Sequence, residues 1–143
     1  MLLALFLPLA LADGPSSFSC CDDPVVESVV KAWLDAGEAL AAGKPHAAAL
    51  EALAKAASGS ATGADGDAMK RVEAEARELA ALPLARAREQ VPALAQEVVW
   101  LALRHESGSL DIVQATCAGQ GSWIQRKGKK VKNPTGSPCG AFR

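Results

Sequence analysis

Apolar residues recur at helical spacing through most of the chain. Val26, Val29, Val30, Trp33, Gly37 and Leu40 share one face of a helix. Asp23 followed by Pro24 opens it: the Asp side chain can accept backbone N–H groups of the first turn, and Pro at the first position has no N–H to leave unpaired. Gly43 closes it. A second helix begins at Pro45 and buries Ala49, Leu50, Leu53 and Ala57. Residues 58–66 read as a loop rich in Gly, Ser and Ala. Asp67 then caps a third helix carrying Met69, Val72, Ala76, Leu79 and Leu82, which Pro83 stops. A fourth runs from about Leu84 to His105, with Val91, Leu94, Ala95, Val98, Leu101 and Ala102 inward. Pro92 lies inside it and removes one backbone hydrogen bond, which predicts a kink or a restart.

These periods predict a mainly α fold: an antiparallel four-helix bundle over residues 22–106, the alternative being three helices with one long bent member. Beyond Gly108 the pattern changes. Leu110 to Val113 has strand character, and Trp123 to Gln125 facing Lys129 to Val131 reads as a hairpin with Gly128 in its turn. Residues 107–143 hold too few apolar side chains to fold alone, so this short C-terminal strand and hairpin segment must pack on the bundle as part of the same domain.

The first twelve residues, MLLALFLPLALA, are an unbroken apolar run ending in Ala-Leu-Ala. Small residues at the last and third-last positions suit signal peptidase, so residues 1–12 read as a signal peptide cleaved before Asp13. At twelve residues the run is shorter than the roughly 20 that a helix needs to span a bilayer. Residues 13–21 read as a short linker, and lipidation at Cys20 or Cys21 is the weaker option because the apolar run ends too far upstream. The expected location is periplasmic or secreted, with no transmembrane segment after cleavage.

Composition sharpens this picture in two ways. Hydrophobic residues make up 50 % of the chain, but many are alanine, and the aromatics are three Trp, three Phe and no Tyr. Such a core is thin, and Trp33 and Trp100 are its expected large fillers. Charge is also divided. Residues 13–122 hold 16 acidic and 9 basic side chains, whereas Arg126, Lys127, Lys129, Lys130, Lys132 and Arg143 stand in a tail with no acid after Asp111. The favoured reading is that this basic tail is steered onto the acidic bundle. Attraction to an anionic lipid surface is the alternative, and an exported chain is not expected to meet nucleic acid.

Four cysteines in an exported chain read first as disulfides. Three pairings are possible. A bond between the neighbours Cys20 and Cys21 closes a strained ring, which argues against it; these two are expected to be free or paired with another chain. Cys117 and Cys139 bracket the strand and hairpin, and joining them closes a loop of about 22 residues, worth roughly 3 kcal/mol as lost chain entropy. The two histidines, His46 and His105, sit far apart on predicted helices and read as packed or solvated side chains. His105, near a helix C-terminus, complements the helix dipole when charged. No nucleophile–base pair, carboxylate pair or phosphate loop is recognisable, so the chain reads as non-enzymatic.

The C-terminal third carries an ordered set of residues: Leu110 to Cys117, then Gly121-Ser-Trp123-Ile, Val131-Lys-Asn133-Pro134 and Cys139-Gly140. This set resembles the bacterial domain of unknown function 3347 family. In that family a helical region leads to a strand ending in Cys-Pro-Met, a Gly-x-Trp-Leu stretch, an Asn-Pro-Tyr and a closing Cys-Gly. The stretch from Ala32 to Leu40 and the alanine-rich segment 44–57 are similar in pattern to the family's opening helices. The resemblance implies an exported helical domain linked to heavy-metal efflux adaptors, with Trp123, Asn133, Pro134 and Gly140 as structural motif positions. It also implies an envelope protein or efflux component as partner, and copper as the candidate cofactor, since soft sulfur ligands suit Cu(I). In this chain Ala118-Gly119 replaces Pro-Met and no Met precedes Cys139. The expectation is therefore a non-enzymatic binding or structural domain of the envelope, possible copper handling included. The alternative is a Cu(I) or Ag(I) carrier that uses reduced Cys117 and Cys139.

Overall fold

The computed structural model describes residues 17–143. The leader 1–12, and with it the expected cleavage before Asp13, lies outside the described residues. Four helices form as the periodicity predicts: α1 (Pro24–Ala42), α2 (Ala47–Ala57), α3 (Gly63–Ala80) and α4 (Leu84–Arg104). Both ends of α1 have a visible cause. Asp23 Oδ1 accepts the amides of Val25 and Val26 at 2.8 and 3.1 Å, giving α1 its N-cap. Gly43, at φ +68°, ends it in the left-handed conformation that costs a residue without Cβ nothing. The third helix starts earlier than the Asp67 cap predicts, with Gly63 following Thr62, so half of the expected loop is helical. Pro92 neither stops nor divides α4, which is one helix from Leu84 to Arg104.

The helices pack in a ring, α1 against α2 and α4, and α3 against α2 and α4. Their shared interior is built from Val26, Val29, Val30, Trp33, Leu40, Leu50, Leu53, Met69, Val72, Leu94, Val98 and Leu101, all at most 1 % exposed, with Ala36, Ala54, Ala68, Ala76, Ala87 and Ala102 where helices approach closely. Trp33 is fully buried, as predicted. Trp100 is not. It lies on the outer face of α4, 36 % exposed, with the Arg104 guanidinium 4.5 Å from its ring centre. The helix itself explains the correction: Val98, Leu101 and Ala102 define the buried stripe, and position 100 is turned roughly 200° from position 98.

The strand region differs from expectation in two respects. First, Ser17–Cys20, read as linker, forms strand β1. It pairs antiparallel with β2 (Leu110–Cys117), Ser17 facing Val113 and Cys20 facing Leu110. Second, the hairpin is not made around Gly128. It joins β2 to β3 (Gly121–Arg126) through residues 118–120, in register from Ile112 opposite Arg126 to Cys117 opposite Gly121. A short β4 (Ala141–Phe142) pairs with Ala115 and Thr116, on the edge of β2 that β1 also uses. Residues 127–140 thus cross from one side of the sheet to the other without joining it as a strand. Successive side chains of a strand point to opposite faces. Trp123 and Ile124 are nevertheless both buried, because α1 and α4 cover one face of the sheet and the returning tail covers the other.

Candidate functional site

The ordered residues of the C-terminal third converge where the tail meets α1 and α4. Cys117, at the end of β2, and Cys139, just before β4, stand at disulfide distance with Cα atoms 5.6 Å apart, inside the span that such a bridge requires. Between them the chain is fixed by polar side chains rather than apolar ones. Asn133 is 4 % exposed and fully engaged. Its amide donates to the Cys139 carbonyl at 2.9 Å and to Gln120 Oε1 at 2.8 Å, while its Oδ1 accepts the Thr135 amide and hydroxyl at 2.9 and 2.7 Å. A buried amide has two donors and one acceptor oxygen to satisfy, and here each finds a partner. Pro134 is buried beside it and lines a small hollow with Leu34, Gly37 and Trp123.

Trp123 is 3 % exposed, with its indole N–H donating to Gln125 Oε1 at 3.2 Å. Gln125 is a second knot, since the same oxygen accepts the Lys132 amide and its Nε2 donates to the Lys130 carbonyl at 2.7 Å. Gly140, at φ +154°, lies against the indole. A Cβ there would fall 2.9 Å from Trp123 and 2.6 Å from Val131, so only glycine fits the crossing. From the bundle, Trp33 reaches across and donates its indole N–H to the Ile124 carbonyl at 3.0 Å, in a fully buried position. Arg88 of α4 donates to the Leu40 and Ala41 carbonyls at 2.8 and 3.3 Å, satisfying free carbonyls at the end of α1.

The charge expectation holds for one residue. Arg126 pairs with Glu38 at 2.7 Å and Asp35 at 3.0 Å, both on α1; partial burial alone would lower its pKa, but those hydrogen bonds and charges raise it. Lys127, Lys129 and Lys130 are exposed and make no ion pair among the described residues. Between α4 and the tail a cleft of about 600 Å³ remains open, lined by Arg88 and Glu89 on one side and by Gln120, Thr135 and Ser137 on the other.

The remaining candidates are placed elsewhere. Cys20 and Cys21 lie with their sulfurs in contact across a cis peptide bond, turned toward each other rather than outward to another chain. At 0 and 6 % exposed, both side chains are enclosed where β1 turns into α1, which leaves no surface for a second chain to reach them. His46 packs at the start of α2, its Nε2 2.8 Å from the Leu82 carbonyl. Among the described residues no three His, Cys, Asp or Glu side chains are grouped to hold a metal ion, and the two tail sulfurs are spent on each other. Joined to each other, Cys117 and Cys139 offer no thiolate to Cu(I). The polar anchors Gln120, Gln125 and Arg88 escaped the sequence reading, for an isolated Gln or Arg carries no spacing signal. No family model, curated protein or solved structure matches the chain.

Proposed function

We propose that this chain is an exported, non-enzymatic domain of the bacterial envelope that acts by binding, on a scaffold of four up-and-down helices. The apolar leader, the cysteine pairing suited to an oxidising compartment and the resemblance of the Cys117, Trp123, Asn133-Pro134 and Cys139-Gly140 set support this reading. None of the helices among the described residues is long and apolar enough to cross a membrane. The observation that carries the binding reading is how the tail spends its polar side chains. Asn133 spends its amide on Gln120 and on the Cys139 carbonyl, and so fixes Gln120, which with Thr135 and Ser137 forms the wall of the cleft facing Arg88 and Glu89. Such a wall presents a fixed polar surface that a ligand or an envelope partner can read.

Export and binding are tested together. Expression with the native leader, followed by N-terminal sequencing of the periplasmic protein, should return Asp13 as the first residue. A cytoplasmic chain that still begins at Met1 contradicts export. Intact-mass analysis under native conditions, before and after mild denaturation, should show a ligand or partner released from the exported protein. Persistent absence of any bound species, in a protein whose Gln120→Ala variant is as active in its host as wild type, contradicts the binding reading. Titration of fully reduced protein with Cu(I) should give no binding tighter than micromolar; tighter binding abolished by Cys117→Ser restores the carrier alternative.

A further inference from the structure

His105 occupies a position that the binding reading does not use. It ends α4, where the chain leaves the bundle for the sheet, and its ring lies between two carboxylates from different parts of the molecule. Nδ1 is 2.7 Å from Asp22 Oδ1, at the corner between β1 and α1, and Nε2 is 2.8 Å from Asp65 Oδ2, in the first turn of α3. Arg104, from α4 itself, completes the group by donating to the other oxygen of Asp65 at 3.0 Å. The His105 side chain is 15 % exposed, that of Asp65 21 % and that of Asp22 55 %. Immediately beyond, the Ser107 amide donates to the Ser19 carbonyl at 2.9 Å, and Cys20 bridges to Ser107. The corner held by Asp22 is therefore the same corner that seats β1 on the sheet.

We propose that His105 is a proton-operated latch: the imidazolium clamps the β1–α1 corner to α3 and α4, and loss of one proton releases the Asp22 arm. The reasoning is a count of hydrogens. Two carboxylates accept and neither donates, so both contacts require an N–H, and only the doubly protonated ring has two. A neutral ring keeps one N–H and turns a lone pair toward the other carboxylate. The retained bond is the one to Asp65, which is better enclosed and is also held by Arg104. The repelled arm is Asp22, the more exposed partner.

The surroundings agree in sign. Partial burial pulls the His105 pKa down, but the hydrogen bonds to Asp22 and Asp65 and their charges outweigh it and raise the value above 6.5. Burial pushes Asp65 up, and the bonds from His105 and Arg104 more than reverse this, holding it below the ordinary Asp value. The stabilisation from His105 is thus complete below pH 6.5 and is lost as pH rises through its raised folded value. That of Asp65 is present above its ordinary value and disappears as pH falls through its lowered one.

Two measurements on the mature protein test the latch. NMR titration should place His105 above 6.5 in the wild type and return it toward 6.5 in Asp22→Asn. Amide exchange, corrected for intrinsic rates, should show protection at Ser107 and in β1 falling as pH rises, about tenfold for each pH unit by which Asp22 raises His105. This loss should be absent in His105→Gln. Protection that is flat across the titration, or equal pH dependence in wild type and His105→Gln, overturns the proposal. A His105 value at or below 6.5 overturns it as well.

Discussion

The bundle and the tail are held together by different physics. In the bundle, residues such as Val29, Leu50, Leu53, Val72 and Leu94 leave water completely, and the periodic placement of small alanines lets the helices approach. Stability there is spread over many apolar contacts, each worth about 1.5–3 kcal/mol when a large side chain is fully buried. In the tail, residues 127–140 contribute few apolar groups, with Val131 partly buried and Lys127, Lys129 and Lys130 exposed. What fixes this stretch is a set of single points: one sulfur pair, two buried amides and one indole. A distributed core tolerates the loss of a member, whereas a pinned segment does not. The difference also separates roles, because a surface set by hydrogen bonds can present defined polar groups without a large core beneath it.

Substitutions can break this contrast in graded steps. The largest effect is expected at the two tryptophans. Trp33→Ala removes both core volume and the bond to the Ile124 carbonyl and should cost about 3–5 kcal/mol by denaturant titration; Trp123→Ala removes the indole beneath Gly140 and should cost less globally, its effect concentrated in the tail. The two should differ in amide exchange, Trp33→Ala weakening protection everywhere and Trp123→Ala mainly in residues 118–140. Equal global loss in both erases the distinction between the regions. Next, Asn133→Ala leaves the Cys139 carbonyl and the Thr135 amide without a side-chain partner, for a loss of about 1–3 kcal/mol. A thermal midpoint unchanged in that variant shows that water replaces the knot at no cost. The smallest effect belongs to Arg126→Gln. Its pairs with Asp35 and Glu38 are partly exposed, so the loss should stay within about 1 kcal/mol and shrink in high salt.

The same contrast decides how much could be read from the sequence. Bundle helices are legible because their signal is local and repeated: Asp23-Pro24 and Gly43 mark the ends of α1, and every apolar position assigned to its face except Gly37 is buried. The tail was legible only at its ends. The Cys117–Cys139 pair was anticipated from the segment those residues bracket. The hairpin was misplaced because three glycines, Gly119, Gly121 and Gly128, all adopt positive φ, and only burial of Trp123 and Ile124 against the rest of the molecule selects the first turn. Strand β1 was hidden for a related reason. Four residues with one large apolar side chain carry no period, and their partner lies some 90 positions away, at Leu110 to Val113. Trp100 misled by its size, since a large aromatic suggests a core although its helical angle turns it outward.

The bridge between Cys117 and Cys139 retains an otherwise weakly held segment. Its most direct test is amide exchange of the Cys117→Ser/Cys139→Ser protein against wild type under identical conditions. Protection should collapse across residues 118–140, whereas in α1 to α4 it should fall by no more than the global loss of about 3 kcal/mol. If residues 118–140 stay as protected as in the wild type, the polar knots suffice without the bridge and the central claim is wrong.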